Sequence, residues 1–303
     1  MSRGTMTAQI LERHGIADST PGTFALLPVD RLMVNDVSGA VALKVFEEMG
    51  ATRVHDPAKV SCIADHFWPA KDAISALQIS NLRSFADRYG ISDYYEVGAT
   101  VEAGIEHALL AQLGQVTPGS VVVGGDSHTC TSGAFGAFAT GVGSTDIASV
   151  LALGELWIKV PETHLVSYVG TPGPYVAGKD LVLAYLAAAG VDGGSYAALE
   201  FDGPAVRALS MDHRMALCNM AVEGGAKTGM VPADDTTLAW LASRNTVGPV
   251  ERLEPLPDAE YDRVVTIDVD GMGPLVAMPY SPGNVVPVGD LPLGTHVDQV
   301  YVG

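Results

Sequence analysis

Three short stretches of the chain place acid, amide and imidazole groups side by side. They are Val34-Asn35-Asp36, Ala64-Asp65-His66 and Gly125-Asp126-Ser127-His128-Thr129-Cys130. Each follows an apolar run that reads as a strand: Arg31-Leu32-Met33, Val60-Ser61-Cys62-Ile63 and Ser120-Val121-Val122-Val123. A carboxylate next to an imidazole fixes its tautomer and raises its basicity. Open α/β sheets hold their ligands outside the carboxyl ends of their strands. Two such pairs on two strand ends therefore predict acid/base or ligand-orienting chemistry on an anionic or metal-bound substrate. In the third stretch Gly124 and Gly125 let the backbone approach a ligand closely, and Asp126, Ser127 and His128 bring a carboxylate, a hydroxyl and an imidazole in succession.

Other residues carry weaker signals. Asp65 alone is better read as a helix cap with a surface histidine beside it. His107 lies in the otherwise apolar Gly104–Leu110 segment, where a lone histidine is usually a satisfied core residue. Asn219 and Glu223 are spaced i,i+4, which predicts one helix face and, in isolation, an ordinary pair. Gly141-Val142-Gly143-Ser144-Thr145-Asp146 fails as a dinucleotide fingerprint, because Asp146 stands where the third glycine belongs and no strand immediately precedes it.

The elements that must position these residues alternate. Helices are predicted near 7–14, 39–49, 70–89, 102–112, 144–156 and 178–189. Strands are predicted near 31–35, 59–63, 93–97, 119–123, 164–170 and 196–208, the last with a turn. Such alternation implies an α/β fold with mostly parallel sheets covered by helices. Residues 246–261 are rich in Pro, Glu and Asp and read as a linker. Strands at 264–270 and 297–302 would open a further unit. The expected division is 1–163, with the Asp-His and Gly-Asp-Ser-His motifs, 164–262 as a second α/β domain, and 263–303 as the start of a third, incomplete one.

Composition narrows the function. The 303 residues carry a formal net charge of −18 and are 48% hydrophobic, 17% charged and rich in glycine, with 34. A chain this acidic lacks the basic footprint that nucleic-acid binding requires. No apolar run reaches membrane-spanning length, and Met1–Met6 is not followed by a secretory apolar segment. Cys62, Cys130 and Cys218 are far apart and odd in number, which points to a reducing compartment. The expectation is a cytoplasmic protein, off the membrane.

Taken together, the motifs resemble the aconitase superfamily, and most nearly the large subunits of 3-isopropylmalate dehydratase and homoaconitase. The resemblance rests on residues 125–146, Asn35-Asp36-Val37-Ser38-Gly39, Asp65-His66-Phe67, Gly104-Ile105-Glu106-His107, Lys159–Thr163 and Cys218–Glu223, in matching order and spacing. It implies aconitase-like three-layer αβα domains and a hydro-lyase that dehydrates and rehydrates a malate-type 2-hydroxy acid, such as 3-isopropylmalate or homocitrate/homoaconitate, on a [4Fe–4S] cluster. Residue by residue, Asp65 and His66 match the pair that protonates the departing hydroxyl. Asp126 and His128 match groups bonded to iron-bound water, and Ser127 matches a contact to a substrate carboxylate. His107, Asn219 and Glu223 match groups around the open iron and cluster, and Asn35-Asp36 is assigned to substrate binding. The three cluster cysteines are expected beyond Gly303, so this chain is expected to be truncated, to hold no cluster and to be inactive alone. A small swivelling-domain subunit is the implied partner, and a small di- or tricarboxylic acid the substrate. Two rivals are a mononuclear-metal hydrolase built on His66, His107 and His128, and a non-catalytic shortened homologue that acts as a binding protein.

Overall fold

The strand-like runs carry no hydrophobic/polar alternation because they are covered on both faces. Every residue of Arg31–Asn35, Val60–Ala64 and Val121–Gly124 is buried, the pattern of a parallel sheet between helix layers. In the computed structural model, which describes residues 4–301, these three strands form a five-stranded parallel sheet with Asp93–Glu96 and Phe138–Gly141. The spatial order is 93–96, 60–64, 31–35, 121–124, 138–141. The chain winds outward from Arg31–Asn35 in one direction, then returns to its other side and winds the opposite way. The loops leaving Arg31–Asn35 and Val121–Gly124 thus diverge, and the crevice between them is where such sheets bind ligands. Asn35-Asp36 and Gly125-Asp126 sit at that point.

Helices close this sheet where the sequence signals them. Ser38–Glu48 packs against Ser144–Leu153. Ala73–Tyr89 begins at Asp72, whose side chain accepts from Ser75 N, and ends at Gly90 in the left-handed region at φ 70°. A second all-parallel sheet has the order 228–230, 198–202, 163–169, 263–268. Residues Ser127–Phe135 form a 3₁₀ segment between the two sheets. A Cβ added at Gly133 would lie 1.8 Å from the Gly229 carbonyl oxygen, so only glycine lets this segment meet the second sheet.

The structure corrects several expectations. The helix near 144–156 stops at Leu153, because Gly154 turns left-handed at φ 75°, and Glu155–Lys159 is a strand. That strand pairs antiparallel with Phe24–Pro28, a ribbon the sequence reading missed. The strand near 196–208 is Ala198–Asp202 followed by a short helix at Pro204–Arg207. Asn219 ends the helix Met211–Asn219, and Glu223 lies in the 3₁₀ turn Met220–Gly224, so the two do not share a helix face. The strand Arg263–Asp268, placed by the sequence at the start of a third unit, runs beside Thr163–Val169 as an edge of the second sheet. Residues 297–301 of the expected last strand form no strand, since no neighbouring strand offers them hydrogen bonds; residues 302–303 lie outside the described residues. No helix among the described residues is long and apolar enough to cross a membrane.

Candidate active site

The crevice is built by loops that the sheet order brings together. Asn35 is the last residue of its strand, and its side-chain oxygen accepts from Val37 N at 3.0 Å and Ser38 N at 2.8 Å, starting the next helix. Its amide donates to Glu106 Oε1 at 3.0 Å. Asp36 is fully buried and accepts from the backbone N–H groups of His66 at 3.2 Å and Phe67 at 2.9 Å. Asp36 therefore shapes the Asp65–His66 loop from inside, while Asn35 ties its own strand end to Glu106. Gly125 permits the third loop to close on them: a Cβ there would lie 2.0 Å from Ser38 Oγ.

Asp65 and Asp126 hold the imidazoles. Asp65 Oδ1 lies 2.7 Å from His66 Nδ1, and its Oδ2 accepts from Glu106 N at 2.7 Å. The other nitrogen, His66 Nε2, faces Asp126 Oδ2 at 3.4 Å. Asp126 Oδ1 lies 3.2 Å from His107 Nε2 and 3.6 Å from His128 Nδ1, and accepts from His128 N at 2.7 Å. His128 Nε2 continues to Glu223 Oε1 at 3.4 Å, and Ser127 Oγ lies 3.1 Å from His128 Nδ1. One carboxylate thus gathers three histidines from three separate segments of the chain: the loop after Val60–Ala64, the helix Glu106–Gln112 and the 3₁₀ segment Ser127–Phe135. Asn219 is at the margin of this group: its amide donates to Thr131 Oγ1 at 2.8 Å, and its carbonyl accepts from Cys130 Sγ at 3.2 Å.

The electrostatics follow from that arrangement. The bond to Asp126, then that to Asp65, pushes the His66 imidazole up to about 10, so it is a cation at neutral pH. His128 is raised by Asp126 and further by Glu223. Asp126 is held far below the usual carboxylate range by His107, His128 and His66, in that order. Burial raises Asp36. Burial also pushes Glu106 up to about 7; it is 1% exposed, and its Oε2 is buried without a hydrogen-bond partner.

Of the residues singled out from sequence, Asp65, His66, His107, Asp126, Ser127, His128 and Glu223 form one connected group. Asn35 and Asp36 support it from below. Glu106 was missed as a site residue. Its signal was its position beside His107 at the start of an apolar helix, where a buried acid is anomalous. The three histidines meet at the Asp126 carboxylate, and among the described residues no compact set of ligand atoms contains more than one of them. Among the described residues, the compact sets of potential ligand atoms combine His66 with carboxylates only: Asp36 and Asp65, or Glu106 and Asp126.

A [4Fe–4S] cluster would need cysteine thiolates. Cys62, Cys130 and Cys218 are buried free thiols. Burial raises all three, Cys62 and Cys130 to about 12, and no cysteine belongs to a compact ligand set among the described residues. The residues present do not fit a cluster.

A parallel-sheet switch point lined by an acid–imidazole network is the arrangement that proton transfer calls for. Comparison with known proteins assigns the class. The aconitase family (aconitate hydratase) matches residues 8–299. The chain is 50% identical over 301 residues to the 3-isopropylmalate dehydratase large subunit 2 of Rubrobacter xylanophilus, covering 99% of this chain and 69% of that protein. It is 47% identical to the large subunit from Oleidesulfovibrio alaskensis, covering 99% of this chain and 70% of that protein. Identity to large subunit 1 of Methanopyrus kandleri is 45%, with the same coverage. The chain belongs to the aconitase family and carries the α/β fold of its hydro-lyase large subunits. Membership implies a [4Fe–4S] cluster in the full-length enzyme.

Proposed function

We propose that the chain supplies the proton-donating part of a hydro-lyase large subunit that isomerises a malate-type 2-hydroxy acid, with 3-isopropylmalate as the foremost substrate and homocitrate/homoaconitate as the second. The observation that carries this reading is His66, clamped at Nδ1 by Asp65 at 2.7 Å and facing Asp126 from Nε2 at the longer distance of 3.4 Å. Nε2 is the nitrogen a substrate hydroxyl can take over. As the carbon–oxygen bond breaks, the His66 proton passes to the leaving oxygen and gives water; rehydration returns it. Proton donation matters because hydroxide is a poor leaving group. Asp126 holds His107 and His128 in fixed orientation, and Glu223 does the same for His128 from the far side. Ser127, with Asn219 at the margin, is assigned to the substrate's carboxylate and hydroxyl. Asn35 and Asp36 act by holding the loops.

Dehydration also needs a base for the carbon-bound proton. We assign that base to a small-subunit partner, in keeping with the names of the relatives, and the cluster cysteines to sequence outside residues 1–303. The compartment is taken as the cytoplasm. With a net charge of −18, nucleic acid is not a partner in this reading. The test is turnover of 3-isopropylmalate and homoaconitate by the full-length large subunit mixed with its small subunit. His66→Ala should cut kcat about a hundredfold or more while cluster absorbance stays unchanged. Wild-type kcat in that variant would remove His66 from the mechanism.

A further inference from the structure

The helix Met6–Arg13 touches both parallel sheets and is tied to each at one end. Met6, Ile10 and Leu11 are fully buried in a core that also holds Val121 of the first sheet and Ala198 and Met230 of the second. At the start of the helix stands Glu200, which is 1% exposed and comes from the strand Ala198–Asp202. Its Oε1 accepts from Thr7 N at 2.8 Å and Thr7 Oγ1 at 3.0 Å, and its Oε2 accepts from the Tyr261 hydroxyl at 3.1 Å. The Thr7 N–H is one of those that a helix start leaves without an internal partner. At the other end, His14 follows the last helical residue. Its Nδ1 lies 2.8 Å from the Ile10 carbonyl oxygen and its Nε2 lies 2.7 Å from Asp30 Oδ2. Asp30 immediately precedes the strand Arg31–Asn35, and the same Oδ2 accepts from Val121 N at 2.9 Å.

The two ends differ in what holds them. A carbonyl and a carboxylate only accept, so both ring nitrogens of His14 must carry protons to keep both bonds. Loss of one proton forfeits one bond. The bond to Asp30 raises the His14 imidazole above its ordinary 6.5, against its burial. Burial pushes Asp30 the other way, yet the bonds from His14 and Val121 N hold its carboxyl below the ordinary value. The other charges around the pair are Lys59, Arg13 and Glu251. The Lys59 ammonium lies 3.7 Å from Asp30 Oδ1 and donates to the Val29 carbonyl oxygen at 3.1 Å. Arg13 and Glu251 line one surface cavity with His14 and Asp30. Lys59 and Val121 N stay with Asp30 when His14 is neutral, so the carboxylate is not stranded and the helix end is what comes free. At Glu200 the donors are a backbone amide, a hydroxyl and a phenol. Burial raises this carboxyl, and its ionisation as pH rises leaves both oxygens accepting, so that end holds.

We propose that the Met6–Arg13 helix is a pH-sensitive brace between the two sheets, fixed to the second by Glu200 and latched to the first by a charged His14, and that the latch opens as His14 loses its proton. The sign follows from linkage. The latch contributes fully below 6.5, the value for the unfolded chain, and its contribution is lost as pH rises through the higher folded value. This inference is independent of the hydro-lyase reading. The test is amide hydrogen exchange of the full-length large subunit, resolved by mass spectrometry and corrected for intrinsic rates. Between about pH 6 and about pH 9, protection of the Ile10–His14 amides should fall about threefold or more, while that of Val121–Gly124 stays level. His14→Gln keeps an amide donor for Asp30 without a titrating proton, so its Ile10–His14 protection should be flat over the same range. Deuterium exchange at the ring C2 position of His14 gives its titration directly. A midpoint above 6.5 that falls in Asp30→Asn supports the latch. Level protection in the wild type, an equal fall at Val121–Gly124, an alkaline fall of the same size in His14→Gln, or a His14 midpoint at or below 6.5 overturns it.

Discussion

At the scale of single residues, the site is a set of histidines held in place by shared carboxylates. Much of this was legible from sequence, since Asp65-His66 and Asp126-Ser127-His128 are local motifs at strand ends. What the sequence could not show is that Asp126 is shared. Its contacts to His66 and His107 join segments remote in sequence, and such pairing leaves no trace in spacing. The same holds for Glu106, whose unusual state comes from its burial, and whose bond from Asn35 spans 71 positions. Glu106 gives a pH prediction with a definite sign. Burial raises its carboxyl from 4.5 to about 7, so the folded protein holds this proton more tightly than the unfolded chain. Its contribution to stability is complete below pH 4.5 and is lost as pH rises toward 7. A shift of this size corresponds to something on the order of 3 kcal/mol. Glu106→Gln keeps the shape and the bond from Asn35 but cannot ionise. Its urea-unfolding free energy should therefore decline less between pH 4.5 and 7 than that of the wild type. Parallel curves for the two proteins would show that Glu106 ionises normally in the folded state.

At the scale of elements, the alternating pattern located most strands and helices to within a few residues, because β-branched runs and capping residues are local signals. The failures share a cause. Glu155–Lys159 was absorbed into the helix before it because its partner, Phe24–Pro28, is remote in sequence and the pairing is tertiary. The 3₁₀ segment Ser127–Phe135 likewise follows from its contacts with both sheets rather than from its own propensity. Gly133 is the point where that contact is tightest. Gly133→Ala should therefore destabilise the protein by about 1–3 kcal/mol through overpacking against the Gly229 carbonyl. A melting curve superimposable on that of the wild type would mean the two sheets separate easily there.

At the scale of the whole molecule, the sheet order 93–96, 60–64, 31–35, 121–124, 138–141 places the crevice, and the sequence indicated parallel sheets without giving that order. Strand order depends on which buried faces meet, and similar apolar runs are interchangeable in that respect. The cysteines make a prediction at this scale. With Cys62, Cys130 and Cys218 buried as separate thiols, anaerobic treatment of the 303-residue chain with iron and sulfide should leave no tightly bound four-iron cluster. Absorbance and iron counting measure it, and about four irons per chain would refute it. The parallel topology has a further consequence, for the order of events in folding. A parallel pair cannot form from a hairpin; each needs a long crossover closed first, and such non-local contacts form slowly. The bonds that complete the crevice are of this kind: Asp65 reaches Glu106 over 41 positions, and Thr131 reaches Asn219 over 88. A chain still emerging from the ribosome would have Asp65 and His66 in hand long before Glu223 exists to meet His128. The acid–imidazole network is therefore a product of late folding, and partly folded chains carry the motifs without the chemistry.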